Sequence, residues 1–159
     1  MLHKDLDTWG KARIPLTTDV PKVKPTTFTV NLNPMLFATI EDVKTVQASE
    51  NAILIDARTE AEFEGTSEKP ASDGHIAGAV NLNYKTLLTE TGAFKSKDEL
   101  MAIAEDMGIT PDKEIIAYCR TSVRAAVVFV ALRNILGYEN VRVYDGAYLE
   151  WAVNNPIVQ

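Results

Sequence analysis

The sequence IIAYCRTSVRAAVVFV, residues 115–130, decides the fold class. Its first three residues are apolar enough for a buried strand, and the apolar density of residues 125–130 is typical of a helix buried on most sides. Between them, the polar stretch CRTSVR leaves room only for a short loop. A strand, a short loop and a helix in this order indicate an α/β protein, in which ligands gather at the edge where the strands end.

Cys119 is the single cysteine of the chain and lies in this loop. The first backbone N–H groups of a helix have no intrahelical partners and carry partial positive charge, so they attract anions. Arg120 and Arg124 add fixed positive charge, and a thiol in such surroundings ionises more readily than a free one. We therefore interpret Cys119 as a nucleophilic thiolate. The alternative is a small buried hydrophobic side chain, as lone cysteines usually are.

Composition limits the number of domains, the crosslinks, the metal sites and the partners that are possible. A chain of 159 residues with 46% hydrophobic content predicts one globular domain with its own core. One cysteine excludes an internal disulfide, and two histidines besides it do not make the usual four-ligand zinc site, so we expect no crosslink and no metal. The net charge of −6 argues against nucleic acid and anionic membranes as general partners.

The apolar runs are too short to span a bilayer, and the N-terminus lacks the apolar segment of a secretion signal. We expect a soluble cytoplasmic protein, or a periplasmic one if a leader or an N-terminal domain is absent from this chain. Prolines at positions 15, 21, 25 and 34 predict an extended connector over residues 1–35. The folded domain is then expected over residues 36–159.

Within that domain, apolar runs alternate with helical patterns. Thr39 and Ser96 stand where helix caps are expected, and Ser96 has capping-box spacing to Glu99. Strands are predicted over residues 52–55, 115–118 and 141–144, and helices over residues 39–48, 97–107, 123–136 and 148–152. This alternation predicts a parallel sheet covered by helices on both faces.

Four segments in fixed order give the chain a specific resemblance. They read LIDAR (residues 54–58), GHIAGAVNL (74–82), CRTSVRA (119–125) and YDGAYLEW (144–151). In these segments the chain resembles the rhodanese-like sulfurtransferase family over residues 36–153. It is most similar to the C-terminal, catalytic half of tandem-domain thiosulfate or 3-mercaptopyruvate sulfurtransferases. Its connector looks like the linker that follows the first domain in those proteins.

The resemblance implies a rhodanese-like α/β fold with a central, mainly parallel five-stranded sheet. It also implies that the Cys119 thiolate takes the outer sulfur of thiosulfate as a persulfide and passes it to cyanide or a thiol, without a cofactor. A missing N-terminal rhodanese-like domain is the one protein partner that it suggests. The substrate-binding residues that it implies are Arg58, Arg120, Thr121, Ser122, Val123 and Arg124.

Four residues in these segments bear on how a donor would be bound. Ser122 stands where the family commonly has glycine, so a positive φ there carries a cost. Arg120 and Arg124 together favour a doubly anionic donor such as thiosulfate. For Arg58, the alternative to substrate binding is a surface ion pair with Glu60 or Glu62.

The sequence is also compatible with two other functions. One is a sulfur-carrier or regulatory module that accepts sulfur from a protein donor. The other is a phosphatase or arsenate reductase, because cysteine phosphatases of related architecture use Cys-x5-Arg. Cys119 and Arg124 form Cys-x4-Arg, and the shorter loop suits a single sulfur atom better than a phosphoryl group.

Overall fold

The computed structural model describes residues 6–15, 17–68 and 74–159. Residues 1–5 and 16 of the predicted connector, and 69–73 of the predicted domain, lie outside these ranges. The strands are β1 (Phe37–Ala38), β2 (Ala52–Asp56), β3 (Ala79–Asn81), β4 (Glu114–Tyr118) and β5 (Val141–Tyr144). The helices are α1 (Leu6–Lys11), α2 (Ile40–Gln47), α3 (Glu60–Phe63), α4 (Lys97–Asp106), α5 (Ala125–Phe129) and α6 (Ala147–Asn154). Short 3-10 turns occupy Pro34–Leu36 and Tyr84–Leu87.

The five strands form one sheet in the order β1-β5-β4-β2-β3, and each of its pairings is parallel. The register of β2 on β4 runs from Ala52 opposite Glu114 to Asp56 opposite Tyr118. Because these two central strands end side by side, the loops that follow them meet at the carboxyl edge of the sheet. This edge is where an open parallel sheet binds its ligands.

Alternation along β4 divides the core in two. Ile115 and Ala117 face a core shared with α4 and α5, and Cys119 continues this side beyond the strand. Ile116 and Tyr118 face the opposite core, which is packed against α2 and α6. Both faces of the sheet are therefore covered by helices, which confirms the predicted α/β architecture with a five-stranded parallel sheet.

The predicted helix caps are confirmed. The hydroxyl of Thr39 accepts from the backbone N–H of Asp42, and the Asp42 carboxylate accepts in return from the N–H of Thr39. Ser96 and Glu99 make the same reciprocal pair at the start of α4. Each pair satisfies two N–H groups that the first turn of a helix leaves unpaired.

The structure differs from the sequence-based expectation at three elements. The helix α1 lies within residues 1–35, where an extended connector was expected. The edge strand β1 has only two residues, which is too short for any alternation to be recognised. The helix expected over residues 123–136 begins at Ala125 and continues beyond Phe129 as a π-helix, Val130–Leu136. In a π-helix, residues five apart lie on one face, and Ala131 and Leu136 are both buried. The apolar density of the segment concealed this change of period.

Most of the described part of the connector has no secondary structure. Beyond α1, residues 17–33 are exposed and contain no helix or strand. The polypeptide enters the sheet through Pro34–Leu36 and β1. Within the ranges described, no helix combines the length and the apolar character that crossing a bilayer requires.

Candidate active site

The loop of residues 119–124 joins the end of β4 to the start of α5. Cys119 has no exposed surface and borders the core beneath α5. Arg120, Thr121 and Val123 are exposed, and Val123 retains 75% of its accessible surface. The thiol is therefore enclosed, whereas three of the residues that follow it in the loop face solvent.

The backbone N–H groups of residues 121–125 are the main feature of this loop. They donate no hydrogen bond to any of the described residues, and the first regular contacts are Ala126 N–H to the Ser122 carbonyl and Val127 N–H to the Arg124 carbonyl. Unpaired N–H groups at a turn into a helix are donors suited to an anion. Five such groups directly follow Cys119 in the chain.

Arg124 faces the thiol and is fixed from the opposite side by Glu62. Its Nη1 and Nη2 atoms donate to the two carboxylate oxygens of Glu62, at 2.6 and 2.9 Å. This hydrogen-bonded pair raises the pKa of Arg124, and a hydrogen bond and charge interaction with Cys119 raise it further. Arg124 is therefore a permanent cation beside the sulfur.

Glu62 is itself held by the start of α3. Its carboxylate accepts from the hydroxyl and the backbone N–H of Thr59, at 2.8 and 3.2 Å. The hydrogen bonds from Arg124, with a further contribution from Thr59, lower the pKa of Glu62 to about 2. Glu62 is thus an anion at neutral pH, so Arg124 is charge-compensated and does not act as a free positive charge.

Ser122 has the positive φ that the sequence led us to expect, at 62°. It is 8% exposed, and its hydroxyl donates to the carbonyl of Tyr144 at 2.5 Å, with a longer contact of 3.4 Å to the Asp145 carbonyl. A serine in this region is strained, and the hydrogen bond offsets part of that cost. The loop is thereby fastened to the end of β5.

Two backbone contacts fasten the same loop to α6. The N–H of Tyr148 donates to the Cys119 carbonyl at 2.9 Å, and the N–H of Leu149 donates to the Arg120 carbonyl at 3.4 Å. The segment YDGAYLEW therefore supplies the platform on which the cysteine loop lies. Tyr148 and Trp151 are buried packing residues of this platform.

Arg58 is fully buried, so its interpretation as part of a surface ion pair with Glu60 or Glu62 is wrong. Its guanidinium donates to both carboxylate oxygens of Asp56 and to the Gly74 carbonyl. The guanidinium also lies 4.2 Å from the centre of the Tyr148 ring. Burial acts to lower the pKa of Arg58, but the Asp56 hydrogen bonds and charge outweigh it and raise that pKa. Arg58 thus joins the β2 edge to the glycine turn and to α6.

His75 has a structural environment. Its Nδ1–H donates to the Phe63 carbonyl at 2.9 Å, and its ring stacks on the Phe63 ring with 3.6 Å between centroids. It does not share a hydrogen bond with Cys119 in the described part of the structure. In the same ranges, no group of three or more His, Cys, Asp or Glu side chains is arranged to hold a metal ion.

Two cavities lie at opposite edges of the sheet. A largely apolar cavity of about 410 Å³ lies against the outer side of the loop, where Phe37, Val123 and Phe129 contribute to its lining. A cavity of about 500 Å³ lies at the opposite edge of the sheet, beside the residues that begin β4 and β5, and includes Arg133 and Arg142. Only the first is adjacent to the cysteine loop.

Known proteins resemble this chain in sequence and in structure. Residues 39–154 match the family model described as a rhodanese-like domain. The chain is 32% identical to the sulfur carrier protein TtuD of Thermus thermophilus and 34% identical to the thiosulfate sulfurtransferase of Rattus norvegicus, over 94% and 95% of its length. The crystal structure of SseA from Escherichia coli, described as a 3-mercaptopyruvate sulfotransferase, superposes with a TM-score of 0.77 at 34% identity and covers 90% of this chain.

These relatives are longer than the chain. The chain spans 59% of the Thermus protein, 52% of the rat enzyme and 53% of SseA. Each of these matches covers at least 90% of the chain, whereas the family model covers only residues 39–154. The matches therefore extend into the connector.

Proposed function

The chain belongs to the rhodanese-like domain family, and from this premise we propose that it is a sulfurtransferase that carries sulfur as a persulfide on Cys119. Five N–H groups, those of residues 121–125, have no partner among the described residues, and this observation carries the proposal. They offer an anionic sulfur a ring of donors that needs no reorganisation when the sulfur arrives. A loop of Cys-x4-Arg length suits one sulfur atom better than a phosphoryl group.

The reaction proceeds in two half-reactions. In the first, the Cys119 thiolate attacks the outer sulfur of thiosulfate, a new S–S bond forms, and the bond between the outer sulfur and the sulfonate breaks. Sulfite leaves with the bonding electron pair, and the terminal sulfur of the Cys119 persulfide keeps a negative charge. In the second, cyanide or a thiolate takes that terminal sulfur and regenerates the Cys119 thiolate. Such covalent catalysis gives ping-pong kinetics.

The surrounding cations have different roles. Arg124 lies beside Cys119 and is held there by Glu62, so it stabilises the thiolate and the persulfide at a fixed position. Arg120 is exposed and is the residue that attracts the anionic donor from solvent. Thr121, Ser122 and Val123 contribute backbone donors. Arg58, buried against Asp56, supports the floor of the site, and we do not assign it a contact with the donor.

Thiosulfate is the donor that we propose, since several relatives are thiosulfate sulfurtransferases and the loop carries two arginines. A second candidate is a sulfur-carrier function with a protein donor, which the name of the Thermus relative favours. We also propose that residues 1–35 form a connector to a companion domain, because the relatives are nearly twice as long as this chain.

Intact mass measurement tests the proposal directly. The protein is treated with thiosulfate, and a gain of one sulfur atom that cyanide removes is the expected result. Cys119→Ser serves as the matched variant and should gain no sulfur. If the wild-type protein stays unmodified by thiosulfate and by a persulfide-loaded protein donor, the proposal fails. Transfer from the protein donor alone would favour the sulfur-carrier function.

A further inference from the structure

Ser122 combines backbone strain with a hydrogen bond at the centre of the cysteine loop. Its φ of 62° is one that glycine adopts without cost, and its 2.5 Å hydrogen bond to the Tyr144 carbonyl is one that glycine cannot make. The common family residue would relieve the strain and lose the contact. Compared with glycine, the serine therefore gives up backbone freedom and gains a hydrogen bond that fixes the loop to the end of β5.

The attachment point is itself rigid. Tyr144 ends β5, is fully buried, and its phenol O–H donates to the Glu150 carboxylate of α6 at 2.5 Å. The same corner receives the Cys119 and Arg120 carbonyls through the N–H groups of α6. Ser122 thus adds a side-chain contact to two backbone contacts, and it lies among the five N–H groups that have no partner in the described part of the chain.

We propose that the hydroxyl of Ser122 is a positioning element that holds the donor N–H groups of residues 121–125 in the arrangement that stabilises the Cys119 persulfide. The inference rests on the proposed sulfurtransferase function. Ser122 acts through the backbone, so it governs how long the persulfide survives and not the identity of the donor. Its carbonyl also accepts from Ala126 N–H, which connects the position of the hydroxyl to the start of α5.

Two substitutions separate the strain from the hydrogen bond. Ser122→Gly removes both, whereas Ser122→Ala keeps a Cβ at positive φ and removes only the hydrogen bond. We expect the glycine variant to retain its melting temperature better than the alanine variant. In both, the persulfide decays faster, by up to about tenfold, the factor that corresponds to one lost hydrogen bond.

Ser96→Ala is the matched control. It also removes one hydroxyl, from the cap of α4, at a site outside the cysteine loop. This control should lower the melting temperature and leave the lifetime of the persulfide unchanged. If the persulfide lifetime in Ser96→Ala also falls in proportion to its melting temperature, the losses at Ser122 report stability alone and the inference is overturned.

Amide hydrogen exchange gives a readout that does not depend on sulfur chemistry. In the untreated protein, the amides of Ala126 and Val127, which donate to the Ser122 and Arg124 carbonyls, should exchange faster in both Ser122 variants than in the wild type, with the amides of β4 unaffected. A Ser122→Gly variant with wild-type persulfide lifetime and wild-type exchange would overturn the inference. If the wild-type protein forms no persulfide, the proposed function fails, and the exchange data alone then decide whether the hydroxyl orders the loop.

Discussion

Arg124 and Glu62 form a two-point ion pair that joins the cysteine loop to the first turn of α3, although they lie 62 positions apart in the chain. The register of β2 on β4 makes the pair possible, since it brings the ends of both strands to the same edge of the sheet. The pair fixes a planar guanidinium beside a buried thiol. The other arginine of the loop, Arg120, is exposed to solvent.

The first prediction concerns the acid sensitivity of this pair. The pKa of Glu62 lies at about 2 in the folded protein, below its ordinary value of 4.5, chiefly because Arg124 donates hydrogen bonds to it. A lowered pKa means that its stabilising contribution is fully present above about pH 4.5 and is lost as the pH falls toward 2. Glu62→Gln should therefore lower the free energy of unfolding at pH 7 by about 1–2 kcal/mol, with a difference from wild type that shrinks below pH 4.5.

Denaturant unfolding at a series of pH values measures this difference. Glu60→Gln is the matched control, because Glu60 lies two positions away and has no ion pair among the described residues. We expect the Glu60 variant to follow the wild type at every pH. A Glu62 variant whose deficit is the same at pH 7 and at pH 3 would contradict the prediction.

The second prediction separates the two loop arginines. Lysine keeps the positive charge at either position but cannot make the two-point contact of a guanidinium. Arg124→Lys should slow persulfide formation from thiosulfate by about tenfold, because the ammonium no longer stays fixed between Glu62 and Cys119. Arg120→Lys should change the rate by less than about threefold, since an exposed cation acts mainly through its charge.

Rapid-quench measurement of persulfide formation distinguishes these effects. Arg133→Lys, at the opposite edge of the sheet, is the control for an arginine replaced elsewhere, and its rate should equal that of the wild type. Equal losses at positions 120 and 124 would show that the geometry of the Arg124–Glu62 pair is unimportant to the reaction.

Much of this arrangement was predictable from local sequence. The apolar run of β4 and the polar loop after it placed Cys119 at the carboxyl edge of a sheet. The substitution of Ser122 for glycine pointed to the positive φ that the structure contains. These features depend on residues that are neighbours in the chain, and local patterns report such neighbours well.

Partners distant in the sequence were harder to identify. Glu62 stands three positions after Thr59, a spacing that predicts only a helix cap. Nothing in that local pattern indicates that the same carboxylate also reaches Arg124. Arg58 has Asp56, Glu60 and Glu62 close to it in the sequence, and only its burial and hydrogen bonds in the structure show that Asp56 is its partner. The Tyr148 ring that packs against Arg58 lies 90 positions further along the chain.

The third prediction concerns this buried pair. Asp56 and Arg58 have no exposed side-chain surface, so removal of one partner leaves an uncompensated buried charge. Arg58→Ala and Asp56→Ala should each destabilise the protein by about 3–5 kcal/mol. The double variant should be less unstable than the sum of the two single variants, because the second removal eliminates the unpaired charge.

Urea unfolding of the four proteins completes this double-mutant cycle. Glu114→Ala provides a comparison at a partly exposed ion pair with Arg142, where the cost should stay smaller. Strict additivity of the Asp56 and Arg58 losses would mean that the two side chains do not depend on each other, contrary to their contacts.

The fourth prediction concerns the donor. Arg120 faces solvent, and five N–H groups of residues 121–125 are unpaired in the described structure, so a compact dianion is favoured over a larger carbonyl compound that carries one charge. With cyanide as acceptor, kcat/KM for thiosulfate should exceed that for 3-mercaptopyruvate, and Arg120→Ala should reduce the thiosulfate value more than the mercaptopyruvate value. An aryl phosphate should not be hydrolysed, because a loop of Cys-x4-Arg length is too small for a phosphoryl group. A large preference for mercaptopyruvate would refute the role of Arg120 in selecting the donor, whereas hydrolysis of the phosphate would refute the size argument for the loop itself.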